Sequence, residues 1–307
     1  MLAIIIPYYK FTFFEVTLES LASQINQRFK VYIGDDASPE NPSDLLEHYK
    51  GKFDFEYHRF EENLGGISLT KQWERCIALS GNEEWIMILG DDDVLGENVV
   101  EGFYGNLPEI EQDGINVVRF ATRLIDEKGD CISRIYQHPK LEKGLDFFIR
   151  KLKWETRSSL SEYIFKRKSF LEKKIQYYPF GFYSDDRAWV DFAADKPIFS
   201  INNILIFIRI SSQSLSGSTD KNIVKKSEYL YVKHFYDNEL ERLSKKNRLF
   251  ILKKVEFFFY LNKKINLIDW ILLYIRYFKC LDIKELYRFH KRLFKFFLNE
   301  KSSIYNT

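Results

Sequence analysis

Trp85-Ile86-Met87-Ile88-Leu89-Gly90-Asp91-Asp92-Asp93-Val94 is the stretch whose reading decides the fold. Trp85 to Leu89 is an apolar run of the length of a buried strand. Gly90 ends it, and three consecutive carboxylates follow. Three adjacent acids repel one another, so the end of a core strand is an odd place for them. A hard divalent cation gives the cluster a purpose. Mg²⁺ and Mn²⁺ prefer oxygen ligands and are often held by one or two carboxylates plus substrate phosphates. Ligands of open α/β sheets also bind at the carboxyl ends of the strands. The stretch therefore reads as a metal and diphosphate site. The competing reading is a solvated acidic turn that caps the next helix.

Outward from this strand the chain alternates. Leu2 to Ile6 is apolar and ends at Pro7, and Phe29 to Ile33 is a second strand that runs into Gly34-Asp35-Asp36-Ala37-Ser38. Phe14 to Ile25 has helical spacing, and Asn41-Pro42 is a helix start. A strand at Phe53 to Phe60 and a helix at Ile67 to Leu79 lead to Trp85. This order predicts an α/β fold, a mostly parallel central sheet with helices on both faces. Further on, helices are expected near Glu97 to Gln112, Leu145 to Leu152, Ser169 to Lys174 and around Trp189. Strands are expected at Asn116 to Ile125, Glu162 to Lys166 and Ile198 to Ile210.

Composition sets the outer bounds. With 45% apolar and 29% charged residues, the 307-residue chain supports a sizeable core. Cys76, Cys131 and Cys280 are widely spaced and form no metal-binding pair, which suggests a reduced, cytoplasmic setting. The sequence from Met1 lacks the basic opening of a signal peptide, and no apolar run is long enough to span a bilayer. The net charge of +2 hides an asymmetry: residues 244–307 hold 15 Lys and Arg against 5 Asp and Glu, and residues 1–243 hold 31 against 39. Composition divides the chain into two regions, an α/β domain at 1–220 and a basic, aromatic-rich helical region at 221–307. The basic region suits an anionic membrane surface at the inner face of the plasma membrane, or a helical subdomain with solvated lysines. It carries no nucleic-acid motif, so no nucleic-acid partner is expected.

Five motifs arrive in order: I-I-I-P-Y-Y at Ile4 to Tyr9, G-D-D-A-S at Gly34 to Ser38, N-L-G-G at Asn63 to Gly66, L-G-D-D-D at Leu89 to Asp93, and S-D-D at Ser184 to Asp186. Together they resemble the inverting family 2 glycosyltransferases of the GT-A fold, over roughly residues 1–215. The resemblance implies a UDP-sugar donor, Mn²⁺ or Mg²⁺ as cofactor, and a saccharide or lipid-linked glycan acceptor of the kind used in surface-polysaccharide assembly. By position it assigns the nucleotide to Pro7, Tyr9, Asp35 and Asp36. Asn63 and Gly65 belong to the turn before the donor-facing helix, and Lys71 falls where the family often has Arg. Asp91 is assigned to the ribose and Asp92 or Asp93 to the metal, although Gly90 stands where the family's first Asp usually is. Asp186, with Asp185 second, is the expected general base. Arg209 and Ser211 to Ser214 match the late loop that closes on the diphosphate. The His often found there is missing, and Arg209 is the electrostatic substitute. Trp154, Tyr183 and Trp189 are candidates for an acceptor platform or for core.

Two rivals remain at this level. One is a nucleotidyltransferase on a related fold, although Pro7-Tyr8-Tyr9-Lys10 lacks the glycine-rich loop such enzymes use. The other is a non-catalytic membrane-surface binding protein on a decayed transferase scaffold.

Overall fold

A computed structural model describes residues 1–212, 221–262, 266–280 and 282–304. The chain divides into two compact units, Met1–Val224 and Lys225–Thr307.

The first unit is built on a nine-stranded sheet. Strands β1 (Leu2–Tyr8), β2 (Phe29–Asp35), β3 (Phe55–Arg59) and β4 (Trp85–Ile88) are its parallel half, in the order β3-β2-β1-β4. Helices α1 (Phe14–Ala22), α2 (Ser43–Glu47) and α3 (Leu69–Ile77) are the crossovers. The apolar runs have a simple physical cause. On β1, Leu2, Ile4, Ile6 and Tyr8 enter one hydrophobic core, whereas Ala3 and Ile5 enter a second core on the other face. A strand covered on both sides has no solvent face to mark with polar residues.

The chain order reverses at β1, with β2 on one side and β4 on the other. Tyr8 is in register with Asp35, and Leu89 N–H donates to Ile5 O at 2.8 Å. The ends of all three strands therefore open on one edge, at the topological switch point where such sheets bind ligands.

Beyond β4 the pattern changes direction. The two-residue strand β5 (Val94–Leu95) and helix α4 (Val99–Gln112) precede β6 (Val117–Ile125). Next come β7 (Leu141–Lys143), α5 (Gly144–Leu152), β8 (Tyr163–Lys166), α6 (Arg167–Lys173), α7 (Ser184–Ala193) and β9 (Pro197–Arg209). β8 is antiparallel to both β4 and β6, and β5 and β7 are antiparallel to β9. A sequence pattern cannot show strand direction. Here it matters, because a reversed β8 brings its leading residues to the edge where β4 ends. Cys131 to Tyr136 forms isolated bridges to Ile125 and Thr122 rather than a strand.

The second unit is helical. It contains α8 (Lys221–Asn238), whose first residues belong to the first unit, α9 (Lys245–Leu261), α10 (Leu267–Lys279) and α11 (Ile283–Ile304). Its core includes Val255, Phe259, Trp270, Leu273, Tyr277 and Phe289. Glu256 is buried within it and is fully partnered. It accepts two hydrogen bonds from Arg292, at 2.6 and 2.7 Å, and one each from Tyr260 and Tyr277. Among the described residues no helix is long and apolar enough to cross a membrane.

Candidate active site

The acids that follow β4 have separate jobs. Asp91 Oδ2 accepts the backbone N–H groups of Tyr9 and Lys10, both at 2.8 Å, and so ties the loop after β1 to the loop after β4. Asp93 is buried. Its Oδ1 accepts Arg209 N–H at 2.9 Å and its Oδ2 accepts the Ser161 hydroxyl. Asp92 is the exception: among the described residues no other residue donates a hydrogen bond to its carboxylate. Burial, and then the charge of the next acid, push Asp91 up to about 6 and Asp92 up to about 7. Arg209 is pinned at the end of β9. Its guanidinium donates to the carbonyls of Asp92, at 2.9 Å, and Asp126, at 2.6 Å, and lies over the Phe13 ring.

Asp92 and Asp93 line a cavity of about 580 Å³ whose wall also carries Asp185 and Asp186, at the start of α7. The loop before α7 is bent: Phe180, Gly181 and Tyr183 all have positive φ, at 54°, 72° and 65°. Such backbone is uncommon for residues with a Cβ and concentrates at functional sites. Asp186 is buried, with Oδ2 3.3 Å from the Lys151 ammonium, and its Oδ1 has no hydrogen-bond partner. Asp185 is half-buried. Burial and the charge of Asp186 push it up to about 7.

Besides Lys151, two more residues important to the cavity escaped the sequence reading. Ser161, which donates to Asp93, also accepts Gly90 N–H at 2.9 Å, so one hydroxyl fixes both ends of the acidic turn. Arg157 also lines the cavity, and its Nη1 is buried without a partner. No local motif marks either residue. Both arrive through the reversal of β8 and the loop that precedes it.

Of the predicted nucleotide-sugar residues Arg209 lines the cavity, whereas Pro7, Tyr9, Asp35, Asp36, Asn63 and Gly65 form a hydrogen-bonded mesh beside it. Asp35 accepts from Ser38 N–H, Tyr57 Oη and Arg59. Asp36 accepts from Leu64 N–H, Gly65 N–H and Arg75. A carboxylate has about four acceptor positions, so each keeps one. Gly65 has to be glycine because a Cβ there would sit 2.5 Å from Asp36 Oδ2. Asn63 Oδ1 accepts Gly66 N–H at 2.6 Å and closes the turn. Ser38 Oγ donates to Tyr9 O, and Pro7 is paired in register with Gly34.

The Lys71 side chain is exposed on the solvent face of α3 and does not line the cavity. Arg75, one turn later, is the cation that faces the mesh. Trp189 is core, stacked on Tyr163 at 4.3 Å, whereas Trp154 and Tyr183 line the cavity. Of the expected late loop, residues 213 and 214 lie outside the described residues.

Among the described residues no three His, Cys, Asp or Glu side chains converge as a ligand set. Asp93, expected beside Asp92 on the metal, has both oxygens engaged. The residues fit a cation held by the Asp92 carboxylate and completed by phosphate oxygens and water.

The model of Glycosyl transferase family 2 matches residues 3–199. The chain belongs to that family. A family 2 member is a glycosyltransferase, and the nucleotidyltransferase alternative falls with this membership. No curated protein sequence matches the chain significantly. Solved structures agree on the GT-A fold. S. aureus TarS 1-349 in complex with UDP-GlcNAc is 16% identical, with a TM-score of 0.64 over 90% of this chain and 79% of that one. The same TarS region with UDP is 15% identical, with a TM-score of 0.58 over 92% and 81%. GalNAc-T7 with UDP, GalNAc and Mn²⁺ is 12% identical, with a TM-score of 0.54 over 78% and 51%.

Proposed function

We propose that this family 2 enzyme transfers a sugar from a UDP-sugar to a hydroxyl of a saccharide or lipid-linked glycan, with inversion at the anomeric carbon. The observation that carries the reading is a single cavity holding an unpaired carboxylate at Asp92, an unpaired guanidinium N–H at Arg157 and an unpaired carboxylate oxygen at Asp186. A volume of about 580 Å³ is in the range of small-molecule sites.

Each residue has a role that its surroundings support. Asp186 is the base: it lines the cavity, its buried Oδ1 has no hydrogen-bond partner of its own, and the Lys151 ammonium lies 3.3 Å from Oδ2. As the acceptor oxygen bonds to the anomeric carbon, its proton passes to Asp186 and the bond from that carbon to the diphosphate oxygen breaks. Arg157 donates to the diphosphate and neutralises the charge that builds on it. The remaining acceptor position on Asp36 suits the uracil N–H, with Pro7 and Tyr9 nearby, while the fully buried Asp35 orients Tyr57 and Arg59. Asp91 holds the Tyr9–Lys10 backbone in place for the nucleoside. Asp92 would hold a Mg²⁺ or Mn²⁺, which would supply further charge neutralisation at the leaving group. TarS was solved with UDP-GlcNAc and GalNAc-T7 with UDP and Mn²⁺, which favours UDP over other nucleotides here.

The test is UDP release from a panel of UDP-sugars, alongside calorimetric titration of UDP with GDP as control, with and without Mn²⁺. UDP binding together with turnover of one UDP-sugar is the expected result. Turnover with a GDP-sugar only would refute the donor assignment. UDP binding without any turnover would restore the decayed-scaffold reading.

A further inference from the structure

Helix α10 carries only three charged residues, Asp269, Arg276 and Lys279, and its other ten are apolar or aromatic, a composition usual for a buried helix. It is not buried. Trp270, Leu273 and Tyr277 form one stripe that faces the unit's core. Leu267, Ile268, Ile271, Leu272, Ile275 and Phe278 are all exposed, Ile268 by 67% and Phe278 by 61%. A continuous aliphatic and aromatic face of this kind signals an interaction surface.

The neighbouring helix shows what chemistry it meets. Tyr277 of α10 stacks on Phe289 of α11 at 4.3 Å, so the two helices are packed together. The exposed side of α11 carries Lys284, Lys291 and Lys295 at helical spacing, with Tyr287 and Phe294 exposed among them. Among the described residues no carboxylate lies within 4 Å of these three ammonium groups, whereas Arg288 pairs with Glu285 at 2.6 Å. Unpaired lysines interleaved with exposed aromatics are the signature of a helix lying in a membrane interface.

We infer that α10 and α11 form a bilayer-docking surface for anionic lipid, with the apolar face of α10 sunk below the headgroups and the α11 lysines on their phosphates. At 13 residues α10 is roughly 20 Å long, too short for a hydrocarbon core of about 30 Å, so it lies in the plane. A second copy of the chain is the weaker occupant. A two-fold interface places the same patch on both partners and so brings like-charged lysine rows together. The inference goes beyond the donor chemistry and stands whether or not the donor is a UDP-sugar.

The test is co-sedimentation of the full chain with vesicles of phosphatidylcholine alone and with about 30% phosphatidylglycerol, at low and high salt. Binding to the anionic vesicles, weakened by salt, is expected. Lys284→Gln/Lys291→Gln/Lys295→Gln should lower partitioning roughly a hundredfold at low salt, at about fivefold per lysine. Ile271→Gln/Phe278→Gln should abolish it. Both sets of positions are exposed, and matching circular dichroism melts verify that the variants are folded. Absence of wild-type binding, equal binding to neutral vesicles, or self-association in sedimentation that Ile271→Gln/Phe278→Gln removes would each overturn the inference.

Discussion

Replacing Asp93 with alanine removes two hydrogen bonds to a buried carboxylate, from Ser161 Oγ and from Arg209 N–H. Each bond to a charged acceptor contributes about 1.5–3 kcal/mol. Removing the carboxylate also relieves its own desolvation, which holds its pKa above the usual range. The net loss should be about 2–4 kcal/mol, and Arg209 N–H would be left buried without its acceptor. For a unit of this size that corresponds to a melting temperature lower by roughly 5–15 °C. Asp92→Ala removes no hydrogen bond from another described residue and deletes one of three crowded negative charges. Because burial holds Asp92 above the usual carboxylate range, its removal should not lower stability. The two variants should therefore separate cleanly. Asp93→Ala melts early by circular dichroism. Asp92→Ala melts no earlier than wild type but loses the Mn²⁺-dependent part of UDP binding in calorimetry. If Asp92→Ala melted as early as Asp93→Ala, or Asp93→Ala melted like wild type, the division of roles within the triplet would be wrong.

Further outcomes follow from the same site. Arg157→Met deletes an unpaired buried donor, so stability should hold while the Kd for UDP in calorimetry rises about ten- to a hundredfold, one charge-assisted hydrogen bond. Asp186→Asn keeps the shape but not the base, and single-turnover kinetics should show kcat down about 10²- to 10⁴-fold with UDP affinity unchanged. Glu162 is fully buried, with Arg157, Arg119, Lys151 and His138 facing it, and burial pushes it up to about 7. Because the folded value lies above the unfolded one, its stabilising contribution is complete below about pH 4.5 and lost as pH rises through 7. Glu162→Gln should therefore flatten the fall in melting temperature between pH 5 and 8, by an amount worth about 3 kcal/mol. An unchanged slope would show that Glu162 does not titrate in this window.

How far the residues could be read without coordinates depends on the range of the forces involved. Trp85 to Asp93 was readable because everything it needs is local: an apolar run covered on both faces, then a glycine and acids at the end of a strand. The same holds for Leu2 to Tyr8 and Phe29 to Asp36. The alternation of strands with helices is enough for the parallel half of the sheet, because a right-handed crossover leaves little choice. Asp185-Asp186 could be placed before a helix for the same reason. A helical period does not say which cation on α3, Lys71 or Arg75, turns inward; Arg75 is the one that reaches Asp36.

By itself the sequence determined the apolar strands, their alternation with helices and the acidic character of the strand ends, because burial periodicity and charge are properties of neighbouring residues. The tertiary structure decided which carboxylate is left open. That choice depends on Ser161, Arg209 and Lys151, which lie tens of residues away along the chain. They reach the acids because β8 runs backwards, β9 ends beside the triplet, and α5 packs near the start of α7. Strand direction and long-range hydrogen-bond partners are set by packing of the whole unit, so no local pattern carries them.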